Sequence, residues 1–366
     1  MEECPRCLNT DPKYFYKGSK GVYCRRCIAY GRVLLDDTFG EEEELILPKE
    51  AEYTLPFELT DEQKEVSRKL CELSQKTDVL VHAVTGAGKT ELVMESIRNA
   101  LEKGKRVGIA IPRRQVVIEI GERMAKAFSK LKVIYVCGGH SGEKEGDLII
   151  CTTHQLYRYY HYFDLLILDE PDAFPYKGNE VLQGIVRTSC RGHLIALSAT
   201  PDESLRKMET LRLFHRPHHH PLVVPRILIL PMAIQYLYLT YFIKGREKVL
   251  VFVPTRNLAK QLGKALKIPH FTSESENKDE MIRDFREGRF PVLITTTVLE
   301  RGVTFSNVAV IILRADHGVF DKASLIQIAG RVGRDPKYPE GDCLFLCCRR
   351  SREVEEAIRE ITRMNA

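Results

Sequence analysis

The stretch Ala83-Val84-Thr85-Gly86-Ala87-Gly88-Lys89-Thr90 decides the fold class of this chain. It follows an apolar strand candidate, Val79–Val84, and precedes a helical pattern over Glu91–Lys103. A strand that enters a helix through such a loop is the context in which a phosphate-binding loop forms. Its glycines let backbone N–H groups point at phosphates, and the helix N-terminus favours negative charge. The predicted ATP-binding residues of the loop are Thr85, Gly86, Ala87, Gly88, Lys89 and Thr90. Lys89 is expected at the β- and γ-phosphates and Thr90 on Mg²⁺.

Apolar strands alternate with helices on both sides of this loop, which predicts parallel β-sheets. Further strand candidates of the first half are Val107–Ile111, Val133–Cys137, Leu148–Cys151, Leu165–Leu168 and Leu194–Ser198. The pattern breaks in the Pro- and His-rich stretch Pro217–Pro225. It resumes with the strand candidates Val249–Val253, His270–Thr272, Val292–Thr296, Val308–Leu313 and Cys343–Cys348. We therefore predict an α/β protein with two tandem parallel-sheet lobes, residues 58–225 and 226–366.

The composition fits this division. A chain of 366 residues suits two cores and an accessory piece. Residues 36–62 hold eleven acidic residues and one basic residue, a net charge of −10. Since the net charge of the whole chain is +5, the remaining residues together carry about +15. This excess favours a polyanionic partner. Residues 36–57 are interpreted as an acidic linker, in which Leu45–Leu47 is a candidate edge strand.

The chain shows neither a secretory signal at its start nor a membrane span. Its most apolar stretch, Arg226–Lys244, is interrupted by Pro231 and Gln235 and is shorter than the ~20 residues of a spanning helix. It is predicted to be a strand followed by a buried helix. We expect a reducing cytoplasmic location, in which the eleven cysteines are thiols or metal ligands rather than disulfides.

A pair of carboxylates, Asp169 and Glu170, ends the apolar strand candidate Leu165–Leu168. The carboxyl end of a parallel strand faces the crevice in which ligands bind. Asp169 is therefore a candidate Mg²⁺ ligand, and Glu170 is a candidate general base for the water that attacks the γ-phosphate. A third acid, Asp172, follows.

Two arginines in the segment Gln327–Arg334 supply the positive charge that phosphoryl transfer requires. Arg331 and Arg334 are three residues apart and are expected on one helical face, from which both reach the phosphates. An arginine finger increases the rate of such reactions by about 10³–10⁵. Our catalytic candidates are thus Lys89, Asp169, Glu170, Arg331 and Arg334.

The order of these motifs resembles that of superfamily 2 helicases over residues 58–340, which implies that both lobes are RecA-like. The resemblance places Gln63 against adenine and Gly302 at the nucleotide, and it assigns coupling roles to Ser198, Thr200 and Gln327. It also implies that nucleic acid is gripped by loop ends that offer hydroxyls, backbone N–H groups and arginines to phosphates. The residues so implied are Pro112, Arg113, Thr152, Thr153, Thr255, Arg256, Thr296 and Thr297.

Cys4-x-x-Cys7 and Cys24-x-x-Cys27 have the spacing of a four-cysteine zinc site. A segment as short as residues 1–35 has little core of its own, so zinc is expected to fold it. Its basic residues and tyrosines suit base stacking, and docking to a protein is the alternative. The run His218–His220 is interpreted as a solvated loop, with metal binding as its alternative.

The segments Asp169–Pro175 and Leu299–Phe305, with the four cysteines ahead of the motor, resemble the ComFA family of late-competence ATPases. Family members generally have a longer segment before the first cysteine. The resemblance implies a single-stranded DNA translocase, dependent on ATP, Mg²⁺ and Zn²⁺, that draws transforming DNA into the cytoplasm. In this hypothesis ATP closes the lobes and hydrolysis reopens them.

The resemblance also implies partners: ComFC-like and DNA-processing competence proteins and the membrane uptake channel, with peripheral association at the inner face of the membrane. Homo-oligomerisation is left open. One alternative is a repair or replication-restart helicase similar to PriA, although PriA carries its cysteines inside the second lobe. Another is a zinc-dependent DNA-binding scaffold with a weak ATPase.

Overall fold

The computed structural model describes residues 2–37, 47–140, 142–300 and 303–366. They form two compact units. The first comprises the residues up to Ala83 and Gly88–Leu213, and the second comprises Val84–Ala87 and Phe214–Ala366. The division between the units thus follows Leu213, whereas the sequence pattern places it after residue 225. Most of the candidate edge strand in the acidic segment lies outside the described residues.

The first unit is built on a parallel sheet whose strand order is β5-β6-β4-β7-β8-β3-β9 within the described residues. Its strands are β3 (Val79–Ala83), β4 (Val107–Ile111), β5 (Val133–Val136), β6 (Leu148–Thr152), β7 (Phe163–Asp169), β8 (Cys190–Ser198) and β9 (Glu209–Leu213). Its helices are α1 (Asp61–Leu73), α2 (Lys89–Leu92), α3 (Met94–Glu102), α4 (Arg114–Ala127) and α5 (Glu180–Ser189). Every residue of β3, β4 and β6 is buried, as expected of strands covered on both faces.

A small antiparallel hairpin precedes this sheet and belongs to the same unit. It consists of β1 (Phe15–Gly18) and β2 (Gly21–Cys24), flanked by the 3-10 helices Pro12–Tyr14 and Ile28–Tyr30. The described part of the acidic segment that follows is held on the unit by backbone hydrogen bonds. Lys49 N donates to Leu101 O at 3.0 Å, and Thr54 N donates to Ala127 O at 3.0 Å.

The second unit has its own parallel sheet, of order β10-β15-β14-β11-β13-β12 within the described residues. Its strands are β10 (Arg226–Ile229), β11 (Val249–Phe252), β12 (His270–Phe271), β13 (Val292–Thr295), β14 (Ala309–Ile312) and β15 (Cys343–Cys347). Its helices are α6 (Met232–Phe242), α7 (Arg256–Leu266), α8 (Lys278–Arg286), α9 (Lys322–Ala329) and α10 (Arg352–Met364). The predicted fold class, two parallel-sheet lobes with a small cysteine-bearing segment ahead of them, is confirmed.

The apolar stretch 226–244 forms a strand and a helix as predicted, but α6 is buried on one side only. Leu237 and Tyr241 on its other side are 65% and 72% exposed. The prediction of a buried helix was therefore wrong. It rested on composition alone, and this helix is apolar nearly all round. None of the helices in the described ranges is both long enough and apolar enough to cross a membrane.

A β-bulge interrupts the pairing of β7 with β8 in the first sheet. Phe163 pairs with Cys190 and Leu165 pairs with His193, so two residues of β8 oppose Asp164 of β7. One of them is Gly192, where a Cβ atom would overlap the backbone carbonyl of Asp164. Since the obstacle is backbone, a side chain cannot rotate away to make room.

We therefore expect Gly192→Ala to lower the free energy of unfolding by about 1–3 kcal/mol, the usual cost of forcing extra atoms into a packed site. Urea denaturation followed by circular dichroism measures this change. Gly142→Ala is the matched control, because a Cβ there meets no atom within 4 Å among the described residues. Equal midpoints for the two variants would contradict the prediction.

Candidate active site and cysteine cluster

The phosphate-binding loop connects β3 to α2 and owes its shape to two glycines. Gly86 and Gly88 have φ values of 86° and 82°, in the left-handed region that side chains disfavour. Gly88 also stands directly before the helix, where a Cβ would lie 2.6 Å from Nε2 of Gln63. The loop thus turns tightly into a helix N-terminus, the arrangement predicted from the sequence.

Gln63 is buried and links the start of α1 to this loop. Its Oε1 accepts a hydrogen bond from Thr60 N at 2.9 Å, while Thr60 Oγ1 accepts one from Gln63 N at 3.2 Å. This reciprocal capping box leaves the side-chain amide against Gly88. The predicted contact with adenine stays a prediction.

Lys89 and Asp169 face the same loop. Lys89 Nζ donates to the carbonyl of Ala83 at 3.1 Å. Oδ1 of Asp169, at the end of β7, is buried and accepts no hydrogen bond from the described residues. Burial and then the charge of Glu170 raise the pKa of Asp169 to about 7, and the charge of Lys89 opposes this rise. A buried carboxylate oxygen in this position fits a ligand of Mg²⁺.

Glu170 follows Asp169 with a φ of 52°, a left-handed conformation that is uncommon outside glycine. Its backbone N donates to Leu197 O of β8 at 3.0 Å, which extends the pairing of the two strands by one residue. Backbone strain of this kind concentrates at functional sites, where the surrounding structure enforces it.

Asp172 connects this strand end to the predicted coupling residues. Its Oδ1 accepts from Ser198 Oγ at 2.7 Å and its Oδ2 from Thr200 Oγ1 at 2.5 Å. Thr200 N donates to Ser198 Oγ at 3.0 Å, which closes the network. The sequence identified Asp172 only as a third acid. Its position beside the Ser-Ala-Thr segment was missed, because the pattern does not show which strand ends are neighbours.

The two arginines of the second unit do not share a helical face. Helix α9 ends at Ala329, and Gly333 has a φ of 65°, so Arg331 and Arg334 lie in a turn beyond the helix. Arg331 is 4% exposed and its guanidinium donates to the carbonyl of Val303. Arg334 is half-buried. The prediction that both arginines share a helical face was therefore wrong. Arg334 is the more accessible of the two.

The candidate nucleic-acid residues lie at or shortly after the ends of strands, but they differ in exposure. Thr152, Thr153 and Thr296 are 8%, 0% and 9% exposed. Pro112 is also buried, Arg113 and Thr297 are half-buried, and Thr255 and Arg256 are exposed. The coupling candidate Gln327 is buried on α9, and the nucleotide candidate Gly302 lies outside the described residues.

Thr255 and Arg256 open α7 and line a groove of about 620 Å³. Thr255 Oγ1 accepts from Leu258 N at 3.2 Å and so caps the helix. The sequence pattern did not indicate the other residues that line the groove, although Lys260 lies one helical turn after Arg256. They are Asn257, Lys260, His270, Thr272, Glu274 and Ser275. Arg256 forms an ion pair with Glu274.

The four cysteines Cys4, Cys7, Cys24 and Cys27 converge in the first unit. All are buried, and their sulfur atoms lie within 4.8 Å of one another. Sγ of Cys4 is 3.7 Å from that of Cys27, and Sγ of Cys7 is 3.8 Å from that of Cys24. Sulfurs at the corners of a tetrahedron around a zinc-sized ion, about 2.3 Å from it, are roughly 3.8 Å apart. The cluster therefore fits a tetrahedral metal site.

Titration of these thiols is coupled. The hydrogen bond with Cys27 lowers the pKa of Cys4 well below its usual range, and contact with Cys27 and Cys4 raises the pKa of Cys7. No other set of three or more Cys, His, Asp or Glu side chains converges in this way within the part of the chain that the structure describes. The run His218–His220 therefore forms no such cluster.

The cysteine module packs directly on helix α5. A Cβ on Gly184 would overlap the backbone carbonyl of Cys7, so the helix and the cysteine segment touch through their backbones. Thr188 Oγ1 donates to the carbonyl of Arg6 at 2.9 Å. These contacts fix the first cysteine pair to the helix that follows the Asp169–Pro175 segment.

The second contact of the module is aromatic. Tyr30 stacks on His154 with ring centroids 6.4 Å apart and packs against Tyr157 at 5.4 Å. His154 and Tyr157 belong to the 3-10 helix Thr153–Arg158, which begins in a candidate nucleic-acid motif. An ion pair between Arg26 and Glu180 adds a surface contact.

The segments that form both sheets match known protein families. Residues 60–208 match the DEAD/DEAH box helicase family, and residues 232–336 match the helicase conserved C-terminal domain. The structure of S. cerevisiae Dbp5 bound to RNA and ADP BeF3 has the same fold, with a TM-score of 0.63 and 18% sequence identity. The likeness covers 84% of this chain and 92% of that chain. The chain is therefore a superfamily 2 helicase-like ATPase.

Two relatives identify the family to which this chain belongs within the class. Competence protein ComFA of Streptococcus pneumoniae (strain ATCC BAA-255 / R6) is 36% identical over 389 residues, which cover 99% of this chain and 90% of that protein. Competence protein ComFA of Bacillus subtilis (strain 168) is 33% identical over 395 residues, with coverages of 99% and 85%. This chain belongs to the ComFA family and is a competence-associated ATPase.

The loop geometry predicts the effect of removing its charged groups. We expect Lys89→Ala and Glu170→Gln each to reduce kcat for ATP by at least about 100-fold, since positioned charge and general-base catalysis supply factors of this size. Phosphate release measures the rate. Lys103→Ala, at the exposed end of the same helical segment, is the control and should retain the activity of the unsubstituted protein. Full activity of both site variants would show that the site lies elsewhere.

Proposed function

We propose that this chain is a translocase that hydrolyses ATP as it moves along single-stranded DNA and thereby draws transforming DNA into the cytoplasm. The observation that carries this proposal is the groove at the start of α7, which presents cations and hydroxyls beside a helix N-terminus. These groups suit the phosphates of a nucleic-acid strand and do not discriminate among bases. Membership of the ComFA family supports DNA as the ligand.

For the ATPase reaction we assign roles to the residues of the phosphate-binding loop and of the end of β7. Backbone N–H groups of residues 86–90 bind the phosphates, with the ammonium of Lys89 at the β- and γ-phosphates. Thr90 and Asp169 would hold Mg²⁺, which neutralises phosphate charge when it is bound. Glu170 accepts a proton from the attacking water, and its strained backbone fixes the carboxylate at the strand end.

We assign Arg334 to the charge that develops on the transferred phosphoryl group. Arg334 is the more accessible of the two arginines, whereas Arg331 is directed towards the carbonyl of Val303. In this assignment Arg334 is the arginine finger, and Arg331 stabilises the turn that carries it. This differs from the expectation that both arginines reach the phosphates.

The test of the proposed function compares ATP hydrolysis with single-stranded DNA, duplex DNA and RNA at two salt concentrations. We expect single-stranded DNA to stimulate most and at the lowest concentration. The apparent affinity should fall with salt, because each neutralised phosphate contributes about −0.7 to the slope of log K against log salt for a single strand. Stimulation that is absent, or that is confined to RNA, would contradict the proposal.

The groove makes a sharper prediction. The double variant Arg256→Gln, Lys260→Gln removes two cations and should reduce the salt slope by about 1–2 while weakening DNA binding several-fold. Fluorescence anisotropy of a labelled oligonucleotide measures both quantities. Lys264→Gln is the matched control, since Lys264 is exposed on the same helix but does not line the groove. Equal slopes for the two proteins would remove the groove from the DNA path.

We further propose that the four cysteines bind zinc as thiolates and that the module supports the first unit rather than acting as a separate DNA-binding finger. The described hairpin strands bury Cys24 alone, so the module has little apolar core without its metal. Its contacts with α5 and with the segment 153–158 argue for docking within this chain.

Gly184→Ala tests this docking without altering a cysteine. Alanine normally stabilises a helix relative to glycine by about 1 kcal/mol, so any loosening reports the close approach to Cys7. We expect faster release of zinc to a chelator, measured by the absorbance of a zinc-sensitive dye. Arg187→Ala, exposed on the same helix, serves as the control. Identical zinc release from both variants would separate the module from α5.

A further inference from the structure

Arg216 immediately precedes the Pro- and His-rich stretch Pro217–Pro225, at which the sequence pattern breaks. It is the third residue of the main segment of the second unit. Its side chain is only 1% exposed and is among the largest fully buried side chains of the described residues. Arginine is rarely buried to this extent unless its donors are satisfied, so the surroundings of the guanidinium indicate its role.

The guanidinium bonds the backbone of the turn that carries both candidate catalytic arginines. Nη1 donates to Val332 O at 2.9 Å and to Gly333 O at 2.6 Å. Nη2 donates to Gly330 O at 2.7 Å. Three carbonyls within four consecutive residues therefore converge on one side chain.

These carbonyls need such a partner because α9 ends at Ala329. The last carbonyls of a helix and those of the following turn have no intrahelical donors, and a cation is favoured there. The planar fork of arginine can satisfy several carbonyls at once, which the single ammonium of lysine does not reproduce. Burial, with a smaller contribution from the charge of Arg334, lowers the pKa of Arg216 to about 10, so it stays protonated at neutral pH.

We propose that Arg216 is a positioning residue for ATP hydrolysis, which holds the turn Gly330–Gly333 in the conformation that presents Arg334. The inference rests on the proposed assignment of Arg334 as the arginine finger. Arg216 also donates from Nε to Thr85 O of the phosphate-binding loop at 3.0 Å. It acts by fixing the backbone on both sides of Arg331, and the φ of 65° at Gly333 is part of the conformation that it holds.

The test compares Arg216→Lys, Arg216→Gln and Arg334→Gln with the unsubstituted chain. Steady-state hydrolysis of Mg²⁺-ATP gives kcat and KM for each protein. We expect both Arg216 variants to reduce kcat by about 10- to 100-fold with KM changed by less than about threefold, since the lost interaction belongs to the transition state. Arg359→Gln, exposed on α10, is the surface control and should change neither value.

The double variant Arg216→Lys, Arg334→Gln separates positioning from general destabilisation. If Arg216 acts through Arg334, the lysine substitution should have almost no further effect on kcat once Arg334 is absent. Multiplicative losses would overturn the proposal, as would an Arg216→Lys protein with the kcat of the unsubstituted chain. Should Arg216→Gln fail to fold, the lysine variant and the double variant still decide.

The same data distinguish this inference from the proposed function. If Arg334→Gln keeps full activity, the assignment of the arginine finger is wrong and the inference falls with it. If Arg334→Gln loses activity while Arg216→Lys retains it, the finger stands and only the role of Arg216 is overturned.

Discussion

Most inner strands of both sheets are buried on both faces, so the polar groups that act on ligands lie where these strands end. All residues of β3, β4 and β6 in the first unit are buried, and so are those of β11 and β13 in the second. Parallel strands end at the same edge of a sheet, and that edge is where ligands bind in such folds. The phosphate-binding loop, the Asp169–Glu170 pair and Ser198 are therefore neighbours in space although the chain separates them widely.

This constraint explains how much of the protein could be predicted from its sequence. Apolar strands with chemistry at their ends are visible as local patterns, and so are the glycines of the phosphate-binding loop. Strand β9 was missed because Glu209–Leu213 is half polar and lies at the edge of its sheet. The helix predicted over Glu91–Lys103 is broken at Val93, and no glycine or proline marks the break.

The remaining errors concern contacts between distant segments. Nothing in the local pattern around Asp172 indicates that its carboxylate accepts hydrogen bonds from Ser198 and Thr200. Arg216 immediately precedes a stretch whose composition suggests a solvated connection, yet its side chain is almost wholly buried. A buried cation can be recognised only once its partners are known, and here the partners are main-chain carbonyls more than a hundred residues away, those of Thr85, Gly330, Val332 and Gly333. Carbonyls have no sequence signature.

The cysteine module shows the same dependence of one segment on another. Its hairpin offers almost no apolar core, and the converging sulfurs of Cys4 and its three partners occupy the place that a core would fill. Order in the module therefore depends on the cluster and on the surface against which it packs. That surface is α5 at Gly184, where backbone meets backbone, and the ring of His154, on which Tyr30 stacks. Because His154 lies beside the strand end of β6, an ordered cluster also restrains a loop that nucleic acid is expected to contact.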